Sequence, residues 1–293
     1  MLKRLLLTVF LLSVSVISSG AAEKLSVFVS IVPQKYFVQQ IGKERVDIQV
    51  MVKPGASPHI YEPKPRQMMD IANAKLYFAI GVQFENAWLK KITAASPNMK
   101  VIHTDHGIDK IAMTSHPNDD EEHDDEEHHD HAGLDPHIWT SPELVKVQAG
   151  TILKALQKAD PSHKKEYEQN FNRFATQIDA LDQTLKQTFS GKTGLQFMVF
   201  HPAWGYFANT YGLKQVPIEI EGKDSKPAQL KELIEHAKKE GIKVIFVQPQ
   251  FSTQSANVVA REIGGEIAFA DPLAENWMAN LRMIADKFKV VLK

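Results

Sequence analysis

The sequence predicts an α/β protein of two βα lobes with mainly parallel sheets, joined by a long rigid helix. Three observations carry this expectation. Short β-branched and apolar runs alternate with amphipathic helical patterns in both halves of the chain, as successive βα units require. Between the halves, Tyr167, Phe171, Phe174, Ile178, Leu181, Leu185 and Phe189 recur at spacings of three and four, with no breaker before Gly191. Finally, thirteen consecutive residues, Asp119 to His131, are all Asp, Glu or His. No packed core accepts such a run, so a disordered loop over 115–134 is expected within the first lobe.

In the first half the pattern reads as strand Leu25 to Val32, helix Gln34 to Ile41, strand Val46 to Val52, helix Pro65 to Asn73, strand Leu76 to Ile80 and helix Phe84 to Ala95. Val101-Ile102 begins a further short strand. After the acidic run, Ser141-Pro142-Glu143 places a proline in the first turn of a helix that runs to about Lys158. Asp160-Pro161 starts the next helix, the rod, on the order of 45 Å long at 1.5 Å per residue. Beyond it come strand Phe197 to Phe200, a helix near Ala203, strand Val216 to Ile220, helix Ala228 to Glu240 and strand Ile242 to Val247. Helix Thr253 to Ile263, strand Glu266 to Ala270 and helix Asn276 to Phe288 complete the second lobe. The expected divisions are 1–22, 23–159, 160–190 and 191–293.

The first of these divisions is a secretory signal peptide. Lys3-Arg4 precedes an apolar stretch from Leu5 to Ile17, and small residues follow where cleavage after Ala22 is expected. The stretch is short for a membrane anchor. The chain has no cysteine, which excludes disulfides, thiolate metal sites and a lipid-modified cysteine. A periplasmic protein fits these features. Setting aside Lys3, Arg4 and the nine acids of the run from totals of 34 and 35 leaves 32 basic against 26 acidic residues, so the acidity is local. With no basic patch interleaved with aromatics, nothing points to nucleic acid.

Open α/β sheets bind their ligands beyond the C-terminal ends of strands. His59 lies past the strand ending at Val52, His201 directly ends the strand Phe197 to Phe200, and Asp271 directly ends the strand Glu266 to Ala270. His137 stands between Pro136 and Trp139 just before a helix start. A proline fixes the backbone beside each of the four, lowering the ordering cost of binding. Three imidazoles and one carboxylate form the kind of shell zinc accepts. His163 and His236 fall on exposed helix faces, and His103 and His106 lack this setting. His116, His123, His128, His129 and His131 form a weaker accessory set on the loop, because flexible ligands lose more entropy when ordered.

Ser57-Pro58-His59-Ile60-Tyr61-Glu62-Pro63, the acidic His-rich loop, Asp135-Pro136-His137-Ile138-Trp139, Val199-Phe200-His201, Pro249-Gln250-Phe251 and Asp271-Pro272-Leu273 follow one another in order. Together they resemble the periplasmic zinc-binding proteins of ABC importers, the ZnuA-like members of the TroA-like metal-binding family. The resemblance covers nearly the whole mature chain. It implies one metal in the inter-lobe cleft, with His59 and His137 from the first lobe and His201 and Asp271 from the second. It also implies that His201 favours zinc, since manganese members usually carry a carboxylate there. Pro58 stands where some zinc members have a Glu that enters the shell, which leaves Asp271 or a water as fourth ligand. Gln248 stands where a Glu often precedes Pro-Gln-Phe.

The function expected is capture of periplasmic Zn2+ by a monomer that delivers it to a membrane permease driven by a cytoplasmic ATPase. A protein of the same importer class carrying manganese or another divalent metal is one alternative. Nitrogen-rich ligation favours zinc, copper or nickel over manganese. A secreted zinc hydrolase is another, but the sequence has no His-Glu-x-x-His helix. A third is a metal sponge or adhesin built on the acidic run. Because each imidazole binds in its neutral form, affinity is expected to fall as pH drops below about 6.5.

Overall fold

Parallel strands cannot be joined by tight hairpins, so each must be followed by a crossover, and helices supply nearly all of them here. The computed structural model describes residues 23–114, 133–219 and 225–291. In the first lobe β1 (Leu25–Val29), α1 (Val32–Gly42), β2 (Val46–Val50), α2 (Pro65–Asp70), β3 (Leu76–Ala79), α3 (Gln83–Ala95) and β4 (Lys100–His103) build a wholly parallel sheet of order β2-β1-β3-β4. After α4 (Pro142–Ala159) and α5 (Lys164–Thr188) the second lobe repeats the plan. There β5 (Gln196–Val199), α6 (Gly205–Tyr211), β6 (Lys214–Pro217), α7 (Pro227–Lys239), β7 (Val244–Val247), α8 (Gln254–Glu262) and β8 (Glu266–Phe269) give the order β6-β5-β7-β8, again parallel. The chain ends in α9 (Trp277–Val291).

In each sheet the central strand, β1 or β5, has its sequence successor on one side and a later strand on the other. That reversal opens a crevice at the C-terminal strand ends, where a ligand site is expected. Side chains of the second sheet alternate as the pleat demands. Phe197, Val199, Val244 and Phe246 face one apolar cluster, while Met198, Ile245 and Val247 face another under α7 and α8.

The first of these clusters runs through both lobes. It joins Val27 and Val29 of β1 to Phe37 of α1, Ile152 of α4, Phe174 and Ile178 of α5, Phe197 of β5 and Phe288 of α9. The rod is therefore embedded in a shared core. It is also shorter than its pattern suggests, since α5 spans 25 residues, about 37 Å at 1.5 Å per residue. Pro161–His163 forms a separate 3-10 turn. The cause is Asp160, whose carboxylate accepts from the Ser162 hydroxyl (2.5 Å), His163 Nδ1 (2.6 Å) and the Tyr167 hydroxyl (2.6 Å) and so closes the turn on itself.

Two buried tryptophans tie the lobes where α4 begins. Trp139 Nε1 donates to the carbonyl of Pro272 at 2.8 Å, and Trp277 Nε1 donates to the carbonyl of Trp139 at 2.7 Å. The Trp277 ring also packs edge-on against Phe37 of α1, with centroids 5.3 Å apart. Substituting Trp277→Ala is expected to cost about 3–5 kcal/mol, the usual result of emptying a large aromatic site. Trp277→Phe keeps most of the packing and is expected to cost about 1 kcal/mol for the lost hydrogen bond plus a smaller packing loss. Urea denaturation of both variants checks the order.

Candidate metal centre

Three segments bring imidazoles to the crevice. Past β2, Met51 and Val52 continue pairing with Val29 and Ser30, after which the chain turns out into an irregular stretch that carries His59. That stretch is pinned by Phe84 N donating to the Pro58 carbonyl (3.1 Å) and by His59 N donating to Ser57 Oγ (3.3 Å). His201 follows β5 directly. Its backbone is held at both ends by one side chain: His201 N donates to Gln248 Oε1 (3.2 Å) and Gln248 Nε2 donates to the His201 carbonyl (2.8 Å). An amide can do both, whereas a carboxylate could only accept. His137 sits just before the 3-10 turn Ile138–Thr140 that leads into α4.

Each imidazole is oriented through its outer nitrogen. His137 Nδ1 donates to Asp135 Oδ1 at 2.7 Å, His201 Nδ1 donates to Glu219 Oε1 at 2.9 Å, and His59 Nδ1 donates to Gln83 Oε1 at 3.0 Å. Carboxylate and amide oxygens only accept, so Nδ1 carries the hydrogen in all three rings and Nε2 is left with its lone pair. Asp135 and Glu219 are 0% and 1% exposed, and His137 and His201 are 2% and 3% exposed, so these two pairs lie in a low-dielectric setting. Burial holds His201 below the ordinary histidine range despite the opposing Glu219 contact. Burial also lowers His59, with help from His201.

The free nitrogens converge. His59 Nε2 and His201 Nε2 are 3.0 Å apart, and His201 Nε2 and His137 Nε2 are 3.3 Å apart. All three ligand atoms lie within 4.8 Å of one another. A tetrahedral zinc with Zn–N bonds of about 2.05 Å has N···N edges of about 3.3 Å, so the group has the dimensions of one face of such a shell. Phe251 stacks on His201 with ring centroids 4.7 Å apart and walls one side of the group. On the other side a wider cleft lined by Gln83, Lys110, Met113, Leu134 and Pro202 opens onto His59 and His201.

Asp271 does not join these histidines. Its Oδ1 accepts from Gln250 Nε2 (2.8 Å) and from Leu273 N (2.9 Å), so this oxygen braces the turn at Pro272 and the loop bearing Phe251. His116, His123, His128, His129 and His131 fall outside the described residues. His163 bonds Asp160 and His236 Nε2 bonds Gln196 Oε1 at 2.7 Å, both away from the group. Sequence reasoning assigned no role to Asp135, Glu219, Gln83 or Phe251. Glu219 stands just beyond β6 but falls inside the strand Val216 to Ile220 expected from the sequence, while Asp135 is two residues from His137 in a motif already singled out.

The profile of a family described as zinc-uptake complex component A, periplasmic (ZnuA), matches residues 27–290. The chain belongs to the ZnuA family. It is 32% identical over 253 residues to the high-affinity zinc uptake system protein ZnuA of Bacillus subtilis (strain 168), covering 85% of this chain and 78% of that one. With the zinc-binding lipoprotein AdcA of Streptococcus pneumoniae serotype 4 it shares 27% identity over 252 residues, 85% of this chain and 50% of the longer relative. A crystal structure of a ZnuA superposes with a TM-score of 0.85 at 39% identity, covering 92% of this chain and all of that one. A ZnuA deletion mutant with zinc bound gives 0.84 at 39% identity, covering 92% and 99%. Among the described residues no helix is long and apolar enough to cross a membrane.

A ZnuA-family site built on buried imidazoles has a definite pH response. Because the His59 and His201 pKa values lie below the usual value, protons compete with metal only at correspondingly lower pH. Metal affinity is expected to be level from about pH 8 to about 6.5 and to fall below that. Titration with zinc across this range checks it, and affinity unchanged down to about pH 5 would contradict it.

Proposed function

We propose that His59, His137 and His201 form the single tight Zn2+ site of this ZnuA-family protein, with the fourth position taken by water. The carrying observation is the orientation of the three rings: every Nδ1 is tied outward and every Nε2 faces a common point. Such a set takes a borderline cation without any rearrangement of tautomer. Three nitrogens favour zinc over manganese, which prefers oxygen. The protein binds zinc in the periplasm as part of an ABC-type uptake system. Delivery as a monomer to the permease and its ATPase completes the reading.

A binding role, without hydrolysis, is also proposed. The carboxylates nearest the group, Asp135 and Glu219, are buried and bonded to ligand imidazoles, which leaves neither placed as a general base towards a metal-bound water. Turnover of ester, peptide or lactam substrates by the zinc-loaded protein would favour a hydrolase instead.

Elemental analysis and titration of the purified protein test the capture site. Wild type should carry about one tightly held zinc, the content expected of one closed imidazole site, and His201→Ala should lose it along with growth support under zinc limitation. The acidic run is proposed as an accessory that gathers metal weakly near the cleft, since its described flanks meet through the bridge Ala112↔Leu134, close in sequence to His137. Deleting residues 119–131 should remove the weaker sites and leave the tight one, and loss of the tight site would overturn the accessory role.

A further inference from the structure

His137 is carried by the segment between the first lobe's sheet and α4, yet several of the hydrogen bonds that hold that segment come from the second lobe. Tyr206 of α6 is buried, and its hydroxyl donates to the Asp135 carbonyl at 2.8 Å while accepting from Ile111 N at 3.2 Å. Asp135 N in turn donates to the Ile111 carbonyl at 2.8 Å, so one phenol closes a three-membered backbone knot beneath Asp135. Burial, reinforced by the Asp135 charge, pushes the Tyr206 hydroxyl up to about 12, so it stays protonated as the donor. Its neighbour Gly205 leaves room for the carboxylate, since a Cβ there would lie 2.6 Å from Asp135 Oδ2. That oxygen has no hydrogen-bond partner among the described residues, so packing against Gly205 and the single bonded Oδ1 set its position.

Three residues separate Gly205 from His201, so the same short segment begins with one ligand and clamps the carboxylate that orients another. We propose that Tyr206 is a positioning residue for zinc retention: through Asp135 it fixes the His137 imidazole to the lobe that carries His201, so that the two buried ligands act as one unit. His59, oriented through Gln83 and its own loop, joins that unit from the first lobe. The inference rests on the reading of His137 and His201 as zinc ligands.

The test is release of zinc into excess chelator from the full mature chain, followed by stopped flow. Tyr206→Phe removes both hydrogen bonds of the hydroxyl, the one to the Asp135 carbonyl and the one from Ile111 N, and keeps the ring, so release should quicken about threefold to tenfold. Asp135→Asn should weaken zinc affinity about 10-fold to 100-fold, as loss of a ligand's outer partner usually does. If Tyr206 acts through Asp135, adding Tyr206→Phe to Asp135→Asn should change release no further. Thr210→Val removes the Thr210 hydroxyl contacts to Ser141 and to the Tyr206 carbonyl but leaves the Tyr206 hydroxyl and Asp135 untouched, and should leave release unchanged. Equal effects of Tyr206→Phe and Thr210→Val, additivity with Asp135→Asn, or no effect of Tyr206→Phe would each overturn the positioning role. Tight zinc binding by His137→Ala would overturn the ligand reading beneath it.

Discussion

Three imidazole lone pairs gathered within 4.8 Å of one another repel unless a positive charge lies among them, and much of the structure around the crevice holds them there. Each ring is kept in place by a hydrogen bond on its far side, and two of those bonds end on carboxylates almost completely removed from water. Such carboxylates serve two purposes. They select the tautomer that exposes Nε2, and they place negative charge one ring away from an arriving dication in a medium that screens it poorly. The third ring is treated differently: a neutral amide orients His59, and its loop is held by a few backbone contacts.

The supports come from positions that the α/β plan makes natural neighbours. β5 and β7 lie side by side, so the residues just past them, His201 and Gln248, meet across the crevice. β5 and β6 flank each other in the same way and bring Glu219 to His201. His201 is thus 47 positions from Gln248 and 18 from Glu219 in the chain, and one strand spacing from each in space. Gln248 shows how such a place tolerates a change of residue type, because its amide satisfies both the donor and the acceptor of the His201 backbone.

Much of this was legible in the sequence. The strand and helix order was, because period-two and period-3.6 patterns are local, and so was the strand-end placement of His59 and His201. Boundaries moved by up to about three residues, as where β1 ends at Val29 rather than Val32, and the rod lost its first turn to Asp160, whose side-chain bonds to Ser162, His163 and Tyr167 are local but have no periodic signature. Asp271 illustrates what pattern alone leaves open. Its position past β8 is that of a ligand, but the direction of its Oδ1 is decided by Gln250 and Leu273 N, which no spacing reveals. Glu219 was hidden in another way, because the expected strand ran on to Ile220 whereas β6 stops at Pro217. A strand-end rule finds residues that face the crevice, whereas only packing decides which of them point their lone pairs at its centre.

The apolar cluster that threads β1, α1, α4, α5, β5 and α9 gives the two lobes one interior. Neither sheet has a complete wall without the other's helices: α9 follows the last strand of the second lobe and buries Trp277 against α1 of the first. The lobes therefore share one apolar cluster despite their repeated topology, while a second cluster under α7 and α8 belongs to the second lobe alone. Either half produced alone would present a broad greasy face to water and invite association with its neighbours.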